Sequence, residues 1–319
     1  MTTDRTMRAA VVVGGGEMRI GQVPRPAPGR GEVRVALEGC GVCGSDLPVW
    51  EGRSWFDYPR PAGAPGHEGW GRIDAVGADV EQPSIGARVA ILGYHSYSEY
   101  EVVDADRLVV LPALLDDQPF PGEPLGCAVN AFHRAQVGAR DTVAVIGAGF
   151  LGCLLIGLAA SAGARVIAVS RRATARRAAA AMGAEITLAP EDRERLAQLT
   201  AGQGCDLAIE AAGRQDTLDL AGDLVRVRGR LVIAGYHQDG PRTVDMQSWN
   251  WRGLDIINAH ERDRSVYLDG IRGAVDAIAS GRLDPRPLYT DRYSLSGLGE
   301  AFTAMRERPA GFIKALVTV

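Results

Sequence analysis

The sequence has a single lysine, Lys314; arginine supplies the rest of its 35 basic residues. Acidic residues number 39, so the formal net charge is −4 and no dominant basic surface for nucleic acid is expected. Cysteine is sparse and odd in number: Cys40, Cys43, Cys127, Cys153 and Cys205. In a chain of this size that argues against a disulfide scaffold and for a reducing compartment. The pair Cys40-x-x-Cys43 has no second pair after it at structural spacing, which excludes a four-cysteine structural zinc. The longest apolar run, about residues 150–160, is too short to cross a membrane. Met1–Arg8 show no apolar leader with a small-residue cleavage site, so a cytoplasmic protein without a membrane partner is expected. Collagen-like periodicity, internal repeats, heptads and low-complexity segments are all missing.

What is present is a globular composition, with 46% apolar and 23% charged residues over 319 positions, enough for two domains. Residues 1–124 carry short apolar runs broken by Gly and Pro, the texture of a sheet-rich domain with many turns. Residues 125–265 alternate strand, glycine turn and helix, which predicts a parallel sheet with crossover helices on both faces. Residues 266–319 return to a mixed pattern and are expected to rejoin the first domain. The fold class is therefore α/β: a doubly wound, Rossmann-type domain beside a mostly β domain.

Gly147, Gly149 and Gly152 form a G-x-G-x-x-G pattern, with Phe150 and Leu151 between the second and third glycines. It follows the β run Thr142–Ile146 and opens an apolar helix. In that context the first glycine serves a tight turn, the second admits a pyrophosphate, and the third lets helix and strand pack closely. The helix N-terminus adds free N–H groups and a favourable dipole. At the end of the next strand stands Val169-Ser-Arg-Arg172 in place of an acidic residue. Ser170 can donate a hydrogen bond, and Arg171 or Arg172 can neutralise a 2′-phosphate. NADP is favoured over NAD.

A catalytic zinc needs only three protein ligands and an open position. Cys43, the Gly66-His67-Glu68 turn, Glu123 and Cys127 are the candidates. The segments Cys43-Gly-Ser-Asp46, Gly66-His67-Glu68-Gly-Trp-Gly71, Glu123-Pro-Leu125, the glycine fingerprint and Gly311-Phe-Ile-Lys314 occur in an order and spacing that resembles the zinc-dependent alcohol and polyol dehydrogenases of the medium-chain dehydrogenase/reductase superfamily. The resemblance covers nearly the whole chain. It implies a GroES-like first domain, one catalytic zinc with Cys43 and His67 as ligands, and Glu123 as third ligand with Cys127 competing. It also implies Glu68 as an outer or exchangeable group, Asp46 orienting His67, and Ser45 bonding the alcohol oxygen at the head of a proton relay. His95, after a strand leading towards the expected active-site side, is a candidate pocket or relay residue. The lobe that carries four structural-zinc cysteines in such relatives is missing between Gly86 and Tyr97. The implied activity is hydride transfer between a secondary alcohol or ketone, of polyol, sugar or cyclitol type, and NADP or NAD, in a homodimer or homotetramer. A zinc-free quinone or enoyl reductase of the same superfamily and a non-catalytic dinucleotide-binding protein are the alternatives.

Overall fold

The computed structural model describes residues 5–319. Contacts divide the chain into two compact units: residues up to Pro124 together with Tyr289–Val319, and Leu125–Leu288.

The first unit is built on a seven-stranded sheet. Its order is Tyr289–Ser294, Lys314–Thr318, Glu32–Gly41, Gly69–Val76, Arg88–Ile91 and Leu108–Val110, with Tyr100–Asp104 also pairing Glu32–Gly41. A separate antiparallel hairpin, Thr6–Gly14 with Glu17–Pro24, lies in the same unit. The central strand Glu32–Gly41 alternates buried and half-buried residues until Cys40 and Gly41, where both faces become covered. Val33, Val35, Ile73, Val89 and Ile91 fill one core, and Val12, Cys40, Tyr97, Phe302 and Phe312 another.

Two registers bring the functional loops together. Cys40 pairs with Gly69, and Gly41 pairs with Leu316, both antiparallel. Continuing those ladders just past Gly41 sets the Cys43 turn beside the His67–Glu68 turn on one side. On the other it meets Lys314, the first residue of the last strand.

The second unit holds a six-stranded parallel sheet. Its order is Ile186–Leu188, Arg165–Val169, Thr142–Ile146, Cys205–Glu210, Val225–Ile233 and Asp255–Asn258. The order reverses beside Thr142–Ile146, and in doubly wound sheets ligands bind at such a reversal, outside the carboxyl ends of the strands. The helix Phe150–Ser161 is buried from Gly152 to Ala159, as its uniformly apolar sequence requires.

The helix Arg264–Ala279 departs from the expected boundary at 265/266. Its buried face, with Leu268, Ile271 and Ala274, belongs to the second unit, and its Val266 carbonyl accepts a 2.9 Å bond from Asn130 Nδ2. The chain rejoins the first unit only at Tyr289. Among the described residues, no helix is long and apolar enough to cross a membrane.

Candidate functional site

Cys43 sits where the strand Glu32–Gly41 gives way to a 3-10 turn, Gly44–Asp46. Asp46, at the end of that turn, is buried and fully engaged. Its Oδ2 accepts from the Tyr97 hydroxyl at 2.6 Å and from the Cys43 backbone N–H at 3.3 Å. Its Oδ1 lies 3.2 Å from His67 Nδ1, which is also 3.0 Å from the Pro65 carbonyl. Both neighbours of Nδ1 are acceptors, so this nitrogen carries the proton and Nε2 is left as the ligand atom. Burial opposes charge on His67, but the Asp46 carboxylate and hydrogen bonds to Asp46 and Cys43 outweigh it. The ring therefore titrates well above its ordinary value. A cation entering here displaces the second proton, the one on Nε2, and leaves the Nδ1 proton in place.

Ligand atoms of Cys43, His67 and Glu68 all lie within 4.8 Å of one another, the one such group of three found among the described residues. A thiolate, an imidazole and a carboxylate suit zinc, whose bonds to such donors are about 2.0–2.3 Å. Glu68 is fully buried, and Lys314 Nζ reaches its Oε1 at 2.7 Å and its Oε2 at 2.5 Å. The Oε2 contact is an ion pair outside hydrogen-bond geometry, leaving that atom without a hydrogen bond. Lys314 also donates to the Val42 carbonyl at 2.9 Å. Burial works against its charge, but Glu68, with Cys43 and Glu123, more than compensates and raises its pKa.

The cluster thus contains Glu68 where the sequence suggested Glu123 or Cys127. Glu123, in the first turn of the helix Gly122–Ala135, is close enough to act electrostatically on Lys314 but is not a member. Cys127, farther along that helix, belongs to the second unit. Ser45 lies beside the cluster, its hydroxyl 3.2 Å from Cys43 Sγ. His95 is not in the cluster: its Nδ1 meets the Ala62 carbonyl at 3.0 Å. Between them stands Tyr94, its ring 6.5 Å from that of His67 and 6.1 Å from that of His95.

Three residues that sequence reasoning missed hold these groups in place. Tyr97 anchors Asp46. Lys314 holds Glu68; a lone lysine within an apolar terminal strand was the available signal. Glu101 accepts from the backbone N–H groups of Tyr94 and His95 at 2.7 and 2.9 Å and from the Ser96 hydroxyl. Burial pushes its carboxyl upward against those bonds. Its signal is alternation, since Glu101 shares the inward face of its strand with Val103. Asp46→Asn should leave the turn in place but lower zinc affinity about 10–100-fold, because the Nδ1 acceptor becomes neutral and poorer. Competition against a chromophoric chelator reads this, and unaltered affinity refutes the orienting role.

In the second unit the three fingerprint glycines occupy three different environments. Gly147 has φ +100°, which L side chains rarely adopt. A Cβ at Gly152 would lie 1.9 Å from the Gly147 carbonyl, whereas one at Gly149 would meet nothing within 4 Å. The middle position is thus open to a ligand, and Gly149, the N-cap of the helix beginning at Phe150-Leu151, brings no side chain to cap it. After the next strand, Ser170 and Arg171 have their carbonyls held by Arg176 Nη1 at 2.7 and 2.9 Å. Arg171 is exposed and Arg172 is the N-cap of the helix Ala173–Ala181, half-buried. At the end of Cys205–Glu210, buried Glu210 accepts from Ala212 N–H, Gly213 N–H and the Thr217 hydroxyl at 2.7–2.8 Å. Its Oε2 lies 3.1 Å from His237 Nε2, while Arg242 Nε donates to His237 Nδ1 at 2.8 Å. His260 stacks on Tyr236 instead.

The family model described as zinc-binding dehydrogenase matches residues 151–272, and that of the alcohol dehydrogenase GroES-like domain matches residues 29–113. An erythritol/L-threitol dehydrogenase of Mycolicibacterium smegmatis is 30% identical over 340 aligned positions, covering 91% of each chain. A structure described as a short chain alcohol dehydrogenase (rspB) from Escherichia coli CFT073, complexed with NADH, superposes with a TM-score of 0.87 at 26% identity, covering 99% of this chain and 100% of the other. A putative zinc-binding dehydrogenase from Sinorhizobium meliloti 1021, bound to NADP, gives 0.86 at 26% identity, with 98% and 99% covered.

Proposed function

The chain belongs to the zinc-binding alcohol dehydrogenases of the medium-chain dehydrogenase/reductase superfamily, NAD(P)-dependent oxidoreductases of alcohols and ketones, and on that premise we propose that it interconverts a polyol- or sugar-type secondary alcohol and its ketone using NADP(H). The observation that carries the chemistry is the gathering of Cys43, His67 and Glu68 donors within 4.8 Å. A zinc-free reductase has no use for that set.

When bound, zinc supplies a Lewis acid for the substrate oxygen, and the nicotinamide accepts or returns the hydride. The protein's own groups do the rest. Cys43 and His67 hold the ion, and Asp46, anchored by Tyr97, fixes the ring of His67. Glu68 would be the carboxylate ligand, supported by its place beside Cys43 and His67. Lys314 pulls on the same carboxylate, which makes Glu123 the second reading for that place, with Glu68 then left to Lys314. Ser45, beside Cys43 Sγ, is placed to hydrogen-bond the alcohol and to act as a relay, receiving the alcohol's proton while passing its own hydroxyl proton on towards solvent. Tyr94 forms a flat apolar wall for carbon beside His67, and His95 lies one ring farther out as the relay candidate. The polyol assignment rests on the erythritol/L-threitol relative.

NADP is preferred because the turn after Arg165–Val169 presents Ser170, Arg171 and Arg172 with no carboxylate of its own. Ser170→Asp should reverse the preference, weakening NADPH at least tenfold relative to NADH through repulsion of the 2′-phosphate. Parallel binding titrations with NADPH and NADH check it, and an unmoved ratio rejects the phosphate site. A homodimer or homotetramer is proposed from the edge strand Asp255–Asn258, where Ile256 is exposed, and from neighbouring Trp251, which is 89% exposed. The location proposed is cytoplasmic, supported by the sparse, odd set of five cysteines, a composition suited to a reducing compartment. The small net negative charge supports the absence of a nucleic-acid partner. The overall reading is tested by zinc analysis of purified protein and by NADP reduction over a panel of C4–C6 polyols; no metal and no turnover would reject it.

A further inference from the structure

Two arginines from different loops converge on one carboxylate in the second unit. Arg171 follows the strand Arg165–Val169, and Arg214 precedes the helix Gln215–Leu224, after the strand Cys205–Glu210. Those two strands flank Thr142–Ile146, the strand that leads into the glycine turn. Both arginines therefore leave the sheet at its carboxyl end, one on each side of the dinucleotide turn. Arg214 Nε lies 2.9 Å from Asp216 Oδ1, and its Nη2 lies 3.5 Å from Oδ2. Arg171 Nη1 lies 3.9 Å from the same Oδ2.

All three side chains are open to solvent, at 61% for Arg171, 54% for Arg214 and 53% for Asp216. The backbone under Arg171 is not free to wander, because Arg176 clamps its carbonyl and that of Ser170. The Arg214 hydrogen bond and charge, followed by the charge of Arg171, hold the Asp216 carboxyl below its ordinary range. Asp216 also sits in the first turn of its helix, where the dipole favours an anion. The carboxylate thus persists as an anion with two guanidinium groups already turned towards it.

We propose that Asp216 is an internal competitor for the adenosine 2′-phosphate of NADP, and that Arg171 and Arg214 are the paired guanidinium groups that receive this phosphate. The inference rests on the reading of Ser170–Arg172 as a 2′-phosphate site and adds two specificity-determining residues from another loop. A phosphomonoester carries nearly two charges and three acceptor oxygens, so it engages two arginines better than one carboxylate does. It must first draw Arg171 away from Asp216 or bind beside a like charge. The two ribose hydroxyls of NAD meet no such cost. Asp216 therefore narrows the discrimination between the two cofactors.

The test is a set of binding titrations of the full-length protein with NADPH and NADH, using wild type, Asp216→Asn, Arg214→Gln, Arg171→Gln and Arg172→Gln. Adenosine 2′,5′-bisphosphate against AMP serves as a probe free of the nicotinamide. Asp216→Asn should tighten NADPH and the bisphosphate about fivefold, the size of one half-exposed ion pair, with NADH and AMP within about twofold. Arg214→Gln should weaken NADPH and the bisphosphate about tenfold and spare NADH. Retained NADH binding shows in each case that the domain is folded. If Arg171→Gln removes a preference for NADPH while Asp216→Asn and Arg214→Gln leave the ratio unmoved, this proposal alone is overturned. If Arg171→Gln and Arg172→Gln also leave the ratio unmoved, the 2′-phosphate reading falls with it.

Discussion

Cys43→Ala yields a protein that still binds NADPH but neither keeps zinc nor turns over substrate. The loss in kcat/KM is on the order of 10³-fold or more, since a Lewis acid stabilises developing charge by several kcal/mol and each 1.36 kcal/mol is a factor of ten. The separation of effects follows from the architecture. Cys43 lies in the first unit, at the end of the strand Glu32–Gly41, and the glycine turn lies in the second, each unit with its own sheet. His67→Ala should match it, because the ring and the thiol serve the same ion. It leaves Asp46 with Tyr97 as partner, so the turn is not lost. Zinc content by atomic absorption, NADPH affinity by fluorescence and steady-state rates with one polyol decide the matter. Full turnover in either variant would sink the metal assignment while leaving the dinucleotide domain untouched.

What the sequence made legible was local. Cys43, Ser45 and Asp46 occur within one turn, and His67 and Glu68 are adjacent, so short motifs carried them. The glycine fingerprint is also contiguous, and its three environments follow the roles expected of each glycine. The supporting residues are not local. Tyr97 reaches Asp46 across 51 positions and Lys314 reaches Glu68 across 246. The strand registers Cys40–Gly69 and Gly41–Leu316 set the Glu68–Lys314 pair, and backbone bonds to Gly63 and Ala10 seat Tyr97; such pairings are not written in any single motif. The carboxylate is a different case: the family resemblance implied Glu123, with Glu68 as an exchangeable group, and the structure gathers Glu68 with Cys43 and His67. Tyr289–Ser294 escaped notice as a strand because it is an edge: Tyr289 is buried, but Thr290, Arg292 and Ser294 face out. The boundary at 265/266 failed for a different reason. An apolar stripe shows that the helix Arg264–Ala279 is packed, but not against which unit.

The largest effect on stability is expected from the only lysine. Lys314→Met removes the cation from a pair in which both side chains are at most 3% exposed. What remains is the Glu68 carboxylate, buried, with its partner gone and the Val42 carbonyl also bereft of its donor. Breaking a buried pair from one side costs about 3–5 kcal/mol, whereas removing both charges is often close to neutral. Chelator-treated Lys314→Met should therefore lose roughly 10 °C in Tm, and Lys314→Met with Glu68→Gln should recover much of it. The pH dependence separates this account from simple loss of packing. Lys314 titrates above the ordinary lysine value of 10.5 because its attraction to carboxylates exceeds the cost of burial. Its contribution is thus fully present below about pH 10.5 and declines as pH rises through the higher folded-state value. Wild type should carry that alkaline decline and Lys314→Met should lack it, so the two stability curves converge at high pH. Parallel curves, or a Lys314→Met protein as stable as wild type at pH 8, would show that the Glu68–Lys314 pair does not hold the metal-side carboxylate in place.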